Sequence, residues 1–159
     1  MDGVLIPFKY AKIAGFTSLF ILKNAYLFYT NGEKFIGVVA YFSYLFTVLH
    51  WTNLKRDSLV KKIDILLSLT LYCYGFYGSL MYDCSERYYL FSMISLFAFC
   101  CNEYLNSYTL YSDDFVNASI DYKNQVYLRT TLLHTFFLHI FQMEHSTYMV
   151  QYCKLIDNI

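Results

Sequence analysis

Histidine and aspartate residues stand at points of the sequence where imidazole and carboxylate chemistry is possible. His50 ends one apolar run, Asp64 opens the next, and His134, His139 and His145 follow within one late segment. Zn²⁺ accepts imidazole nitrogen and carboxylate oxygen as ligands. The sequence therefore raises the hypothesis of a zinc site formed by His50, Asp64 and His134, with His139 as the alternative third ligand. We assign no residue a catalytic role.

The spacing of the late histidines limits this hypothesis. Residues four apart share one face of an α-helix, but His134 and His139 are five apart and would differ by about 140°. His134 and His145 would share a face but lie roughly 16 Å apart along the axis. A regular helix should therefore offer only one of these histidines to a metal ion that His50 and Asp64 bind from other helices.

The composition favours a membrane protein. Hydrophobic residues make up 57% of the 159 residues and charged residues only 15%, whereas soluble domains carry about 25% charged residues. Residues 35–54 and 65–82 contain no Asp, Glu, Lys or Arg, and Glu103 is the only one between residues 88 and 112. A membrane-spanning helix needs about 20 mainly apolar residues, so these three runs are long enough.

Two further segments contain charged residues but are also apolar enough to span. We predict an all-α, multi-pass transmembrane helical bundle of about five helices, which forms a single integral membrane domain over residues 1–159. The predicted spans are 13–30, 35–53, 64–82, 88–110 and 126–150. The polar stretch 112–125 is predicted to be a loop.

Basic residues in short loops predict the orientation. Lys55, Arg56, Lys61 and Lys62 lie in the 52–62 loop, and such clusters favour the cytoplasmic side. The 52–62 loop and the N-terminus are therefore predicted to be cytoplasmic. The loops 31–34 and 83–87 would then face the opposite side.

Charge and cysteine usage exclude some classes of function. The formal net charge is zero and no basic stripe is present, so we expect no nucleic-acid partner. The five cysteines show no CxxC spacing, which argues against a disulfide scaffold. The expected partners are the lipid bilayer and either a second copy of the chain or another membrane protein.

Asp64 has two interpretations. Its carboxylate could lie in the first turn of its helix and complement the helix dipole. Alternatively it points inward, on a face shared with Ser68, Tyr72, Gly75 and Ser79 that suits helix packing. An inward Asp64 would meet His50, either as a hydrogen-bonded pair that closes the end of the bundle or as a second metal ligand.

Two other patterns concern neighbouring helices. Ser92, Ser95, Asn102 and Asn106 share one face of the fourth helix.

Trp51 is typical of the aromatic belt at a membrane interface, where His50 beside it would be solvated.

The order of these features resembles the CREST superfamily of membrane hydrolases, which includes alkaline ceramidases and the progestin/adipoQ-type receptors. In those proteins a Ser-x3-His motif ends one helix, an Asp begins the next, and paired histidines on the last helix complete a zinc site. Here His50, Asp64 and the His134/His139 pair occur in that order, with Thr47 three residues before His50.

The resemblance implies a zinc-dependent lipid amide hydrolase, and zinc is expected only under that hypothesis. The other hypothesis is a small membrane protein without catalytic activity, which acts by packing with itself or with another membrane protein. A bound metal would distinguish the two.

Overall fold

The chain is described by a computed structural model that covers residues 6–52, 58–110 and 112–153. The all-α prediction is confirmed for these residues, and each predicted span falls mainly on helix. The α-helices are α1 Phe8–Thr17, α2 Leu19–Thr30, α3 Lys34–Thr52, α4 Leu59–Ser79, α5 Ser85–Thr109, α6 Asp113–Asn117, α7 Ile120–His134 and α8 Gln142–Tyr152, and a π-helix, Thr135–Phe141, joins α7 to α8.

Several of these elements are continuous. Ser18 between α1 and α2 keeps helical backbone angles, so the two helices form one long unit. The segments α7, π-helix and α8 follow one another without a break, and we call residues 120–152 the C-terminal rod. The described residues thus form five long helical units and the short α6.

The five long units form a ring. The α1–α2 unit packs against α3 and the C-terminal rod, α3 packs against α4, and α5 contacts both α4 and the rod. The lysines Lys9, Lys12, Lys61 and Lys62 lie near one end of the ring, which we call the basic end. A Cys84–Cys153 disulfide lies at the opposite end, the disulfide end.

Local sequence signals explain where helices start and stop. Gly32, at the turn between α2 and α3, has φ 94°, a conformation that glycine adopts without a steric penalty. Ser58 caps α4 by accepting a hydrogen bond from the Lys61 amide at 3.1 Å. The stretch from Asn31 to Lys34 and the start of α4 are therefore set by local chemistry.

The prediction that residues 112–125 form a loop is wrong. Ser112 and Ser119 each accept a hydrogen bond from a backbone amide three residues later. These two N-caps start α6 and α7, so the polar stretch contains one short helix and the beginning of another.

Most residues buried between the described helices are polar, whereas large apolar side chains lie on the outside of the ring. Asp64, Gly75 and Ser79 are buried on α4, which confirms the inward face of that helix. The buried residues on α5 include Ser92, Ser95, Asn102 and Asn106, as the sequence predicts, whereas Glu103 is exposed. Large apolar side chains are exposed along the described helices, among them Phe16, Phe35, Leu66, Phe97 and Phe136.

Only one described helix meets a length and hydropathy criterion for crossing a membrane. This helix is α3, with a mean hydropathy of 1.4, and core helices of soluble proteins can pass the same test. The helices α4 and α5 contain more Tyr, Ser and Asn than α3, and the polar groups of these residues lower the mean hydropathy. The remaining described helices are shorter than the length that the criterion requires.

The cysteine prediction needs correction. Cys84 and Cys153 pair across 69 positions, and no local spacing motif signals such a distant pair. Cys73, Cys100 and Cys101 are free and exposed. Lys55 and Arg56 of the predicted basic loop lie outside the described residues.

Gly37 allows α3 to approach α2 closely, and this contact gives a test of the fold. A Cβ atom at Gly37 would lie 2.8 Å from the Tyr29 backbone nitrogen, whereas one at Gly15 meets nothing within 4 Å. Gly37→Ala should lower the free energy of unfolding by about 1–3 kcal/mol, because backbone atoms must move apart. The matched control Gly15→Ala should leave it unchanged or raise it by up to about 1 kcal/mol. Unfolding of both variants in detergent measures the difference, and equal stabilities would contradict this packing.

Candidate functional site

An elongated cavity of about 250 Å³ lies inside the ring. All five long units contribute to its wall, which is mainly apolar. Its lining on α4 runs from Asp64 to Tyr77, about 20 Å along the helix axis. Asp64, His134 and His139 line the part nearer the basic end, and Met149 and Val150 line the part nearer the disulfide end. Two of the predicted metal ligands and the alternative third ligand therefore face one cavity.

Asp64 is buried, and Thr47 of α3 donates a hydrogen bond of 2.6 Å to its Oδ1. Because α4 begins at Leu59, Asp64 lies beyond the first turn of the helix. The inward interpretation is confirmed, and the helix-dipole interpretation is wrong.

His50 and Trp51 are both buried rather than exposed at an interface. Trp51 is 4% exposed and packs against Ala11 and Ala14 of α1. The expectation of a belt tryptophan beside a solvated His50 is therefore wrong, because α1 covers the end of α3. His50 Nδ1 and Trp51 Nε1 are buried without a hydrogen-bond partner among the described residues.

The π-helix brings together the two histidines that the sequence spacing separates. The rings of His134 and His139 meet edge to face, with centroids 5.1 Å apart. A π-helix pairs residue i with residue i+5, so a five-residue spacing returns close to the same face. The prediction that these two histidines point in different directions is wrong, because it assumed a regular α-helix.

Side chains of two other helices hold this histidine pair. Thr17 Oγ1 of α1 lies 2.9 Å from His139 Nδ1, which leaves Nε2 as the other nitrogen of that ring. The Trp51 ring contacts His134 with centroids 4.9 Å apart and His50 at 5.8 Å. Trp51 thus lies between His50 and the histidine pair. Sequence reasoning did not identify Thr17, since a threonine in an apolar helix carries no distinguishing signal.

The predicted hydrogen bond between His50 and Asp64 is not present. In the part of the chain that the structure describes, Asp64 is bonded by Thr47 instead. His145 is not among the residues that line the cavity. Its Nδ1 lies 2.7 Å from the Phe141 carbonyl, and its ring lies against Phe91 at a tilt of 31°.

The donor atoms of His50, Asp64, His134 and His139 suit zinc, but these atoms do not lie close enough together to bind one ion. Imidazole and carboxylate are suitable donors, and the unpartnered His50 Nδ1 is available. Among the described residues, however, the only three metal-ligating side chains with ligand atoms all within 4.8 Å of one another are Asp83, Cys84 and Cys153, and a disulfide offers no thiolate. The histidines and Asp64 would have to rotate to close around one ion.

A second group of polar side chains lies further toward the disulfide end of the cavity. Gln142 Nε2 donates hydrogen bonds to Tyr88 Oη at 3.1 Å and to Ser92 Oγ at 3.0 Å. Gly75 of α4 faces Tyr88, and a Cβ atom at Gly75 would collide with the Tyr88 hydroxyl. Sequence reasoning missed Gln142 and Tyr88, because a single amide in an apolar run matches no motif.

Comparison with known proteins gives no match to a family model, a curated protein or a solved structure. The residues and geometry of this chain are therefore the basis for proposing a function.

The π-helix gives a test of the histidine geometry. Phe136 is exposed within the π-helix. Its deletion should convert the segment to α-helix and leave the two histidines four residues apart, so that they still share one face. The thermal midpoint should shift by less than roughly 4 °C, the effect of about 1 kcal/mol at this chain length.

Deletion of Leu128, an exposed residue in the regular helix α7, is the matched control. It turns the following buried threonines by about 100° and should lower the midpoint much further. Thermal unfolding in detergent compares the two deletions, and equal losses would contradict the π-helical register.

Proposed function

We propose that this chain is an integral membrane protein with five spanning helices, and that it binds a membrane-dissolved amphiphile in its central cavity. The observation that carries the proposal is the distribution of side chains: the ring buries Ser, Thr, Asn, Gln and His side chains and exposes large apolar ones. A soluble bundle has the opposite arrangement. In a bilayer, small and polar residues mediate contacts between helices, and the apolar outer surface faces lipid.

The two ends of the ring support the same placement independently. Basic residues gather at one end, as expected for the cytoplasmic side. The Cys84–Cys153 disulfide lies at the other end, as expected for an oxidising compartment. Both features favour a cytoplasmic basic end and an external or lumenal disulfide end.

The cavity supports a ligand-binding role. Its volume of about 250 Å³ is close to the lower end of small-molecule pockets, which starts near 300 Å³. A mainly apolar wall with a few convergent polar groups is typical of such pockets, and the elongated shape suits an alkyl chain.

The topology can be tested by cysteine labelling after Cys73, Cys100 and Cys101 are replaced by Ser. Ser58→Cys lies at the basic end, and the matched control Asn31→Cys lies at the opposite end. A membrane-impermeant maleimide should label Ser58→Cys only from the cytoplasmic side and Asn31→Cys only from the other side. Labelling of both from one side would contradict the spanning arrangement, and exchanged sides would contradict the orientation.

A second candidate function is a zinc-dependent lipid hydrolase, as the resemblance to the CREST superfamily suggests. The observation in its favour is that the π-helix brings His134 and His139 to one face, in the cavity that Asp64 also lines. His134 and His139 would hold the ion, with His50 or Asp64 as the third ligand. When bound, zinc would supply a Lewis acid and a more acidic water. Thr17 would orient the His139 ring, and Thr47 would fix the Asp64 carboxylate.

Metal analysis tests this candidate. It predicts near-stoichiometric zinc in the purified protein, which His134→Ala or His139→Ala should remove. The control His145→Ala alters a histidine that does not line the cavity and should retain the metal. Protein that stays free of zinc after incubation with zinc and removal of the excess would contradict the hydrolase candidate.

A further inference from the structure

We infer that Gln142 forms a polar subsite in the cavity wall, which accepts a hydrogen bond from an N–H or O–H group of an uncharged amphiphile. This inference rests on the proposed function and identifies the chemical class of the ligand. It concerns a different part of the cavity from the His134/His139 pair.

The subsite begins with a buried amide that is bonded to two hydroxyl groups. Gln142 is 2% exposed, and its Nε2 donates to both Tyr88 and Ser92, so both amide hydrogens are used. Its Oε1 is buried without a partner among the described residues, and Gln142 lines the cavity. A buried acceptor without a partner is unfavourable, and a donor group on a ligand in the cavity would satisfy it.

The side chains packed around Gln142 hold it in place. Tyr88 is 4% exposed, and its hydroxyl lies against Gly75, where any side chain would collide with it. The Ser146 hydroxyl, one turn further along α8, bonds to the Gln142 carbonyl and so leaves the side-chain Oε1 free. Three helical units therefore meet at this amide.

The charge of the lining disfavours anionic ligands. Glu33 and Asp64 line the cavity, and no Lys or Arg is among the described lining residues. A carboxylate or phosphate would lose hydration there without gaining a cationic partner. The cavity should therefore prefer an alcohol or an amide over a fatty acid or an anionic phospholipid.

The position of Gln142 along the cavity orients the ligand. It follows His139 by three residues, about 4.5 Å along the rod. Met149 and Val150 line the cavity beyond it, toward the disulfide end. The polar group of the ligand should lie at Gln142, and its alkyl chain should extend toward Met149 and Val150.

Photolabelling with two matched probes tests this subsite. The probes are dodecanol and dodecanoic acid, each with a diazirine in the alkyl chain, and the protein is held in a steroid-based detergent. Dodecanol should label the protein at least tenfold more than dodecanoic acid, mainly on the peptides that line the cavity. Equal labelling by the two probes would overturn the inference.

Variants then test the role of the amide. Gln142→Met keeps the side-chain length without the polar atoms and should reduce dodecanol labelling at least tenfold. The matched control Gln151→Met changes an exposed glutamine of the same helix and should have no effect. If Gln142→Met does not fold, Ser92→Ala replaces it as the test. This variant removes only one acceptor of the Gln142 amide and should reduce dodecanol labelling by a smaller factor.

The outcome separates the subsite from the proposed function. A folded Gln142→Met protein, with its disulfide and thermal midpoint intact, that labels like the wild type would overturn the subsite. Because labelling is done in detergent, this result is independent of the cysteine labelling that tests the membrane topology.

Discussion

Hydrogen bonds from buried side chains of one helix to its neighbour hold the ring of helices together. Thr47 and Asp64 join α3 to α4, and Thr130 donates to Asn106 at 2.6 Å to join the C-terminal rod to α5. Asn24 donates to the Met143 carbonyl at 3.0 Å and joins α2 to the rod. If lipid surrounds the outer surface, little hydrophobic driving force acts between helices, so these polar contacts and close packing must specify the arrangement.

Because polar contacts must hold the helices together, many polar groups are buried between them, and some of these groups can interact with a ligand. His134 and Gln142 are among the polar side chains that line the cavity. The π-helix is part of this arrangement, since it turns His134 and His139 toward one another and Thr17 then fixes the second ring. Segments of π-helix occur frequently at functional sites, which agrees with a binding role for this region.

The sequence predicts the elements that depend on local patterns. Long apolar runs locate the helices, and the small and polar residues of α4 and α5 indicate their inward faces. The pairing of Cys84 with Cys153 could not be predicted, because it depends on where distant helices end. The burial of His50 and Trp51 depends on α1 covering the end of α3. The contact of His134 with His139 depends on a local change of helix type that no spacing rule reveals.

The central claim is that the apolar outer surface of the ring faces lipid, and Phe97 tests it most directly. Phe97 lies near the middle of α5 and is 72% exposed. A spin label on Phe97→Cys in liposomes, with Cys73, Cys100 and Cys101 replaced, reports collisions with oxygen and with a water-soluble nickel chelate. Frequent oxygen collisions with few nickel collisions would support lipid contact at this depth. Frequent nickel collisions would show that the surface faces water and would contradict the account.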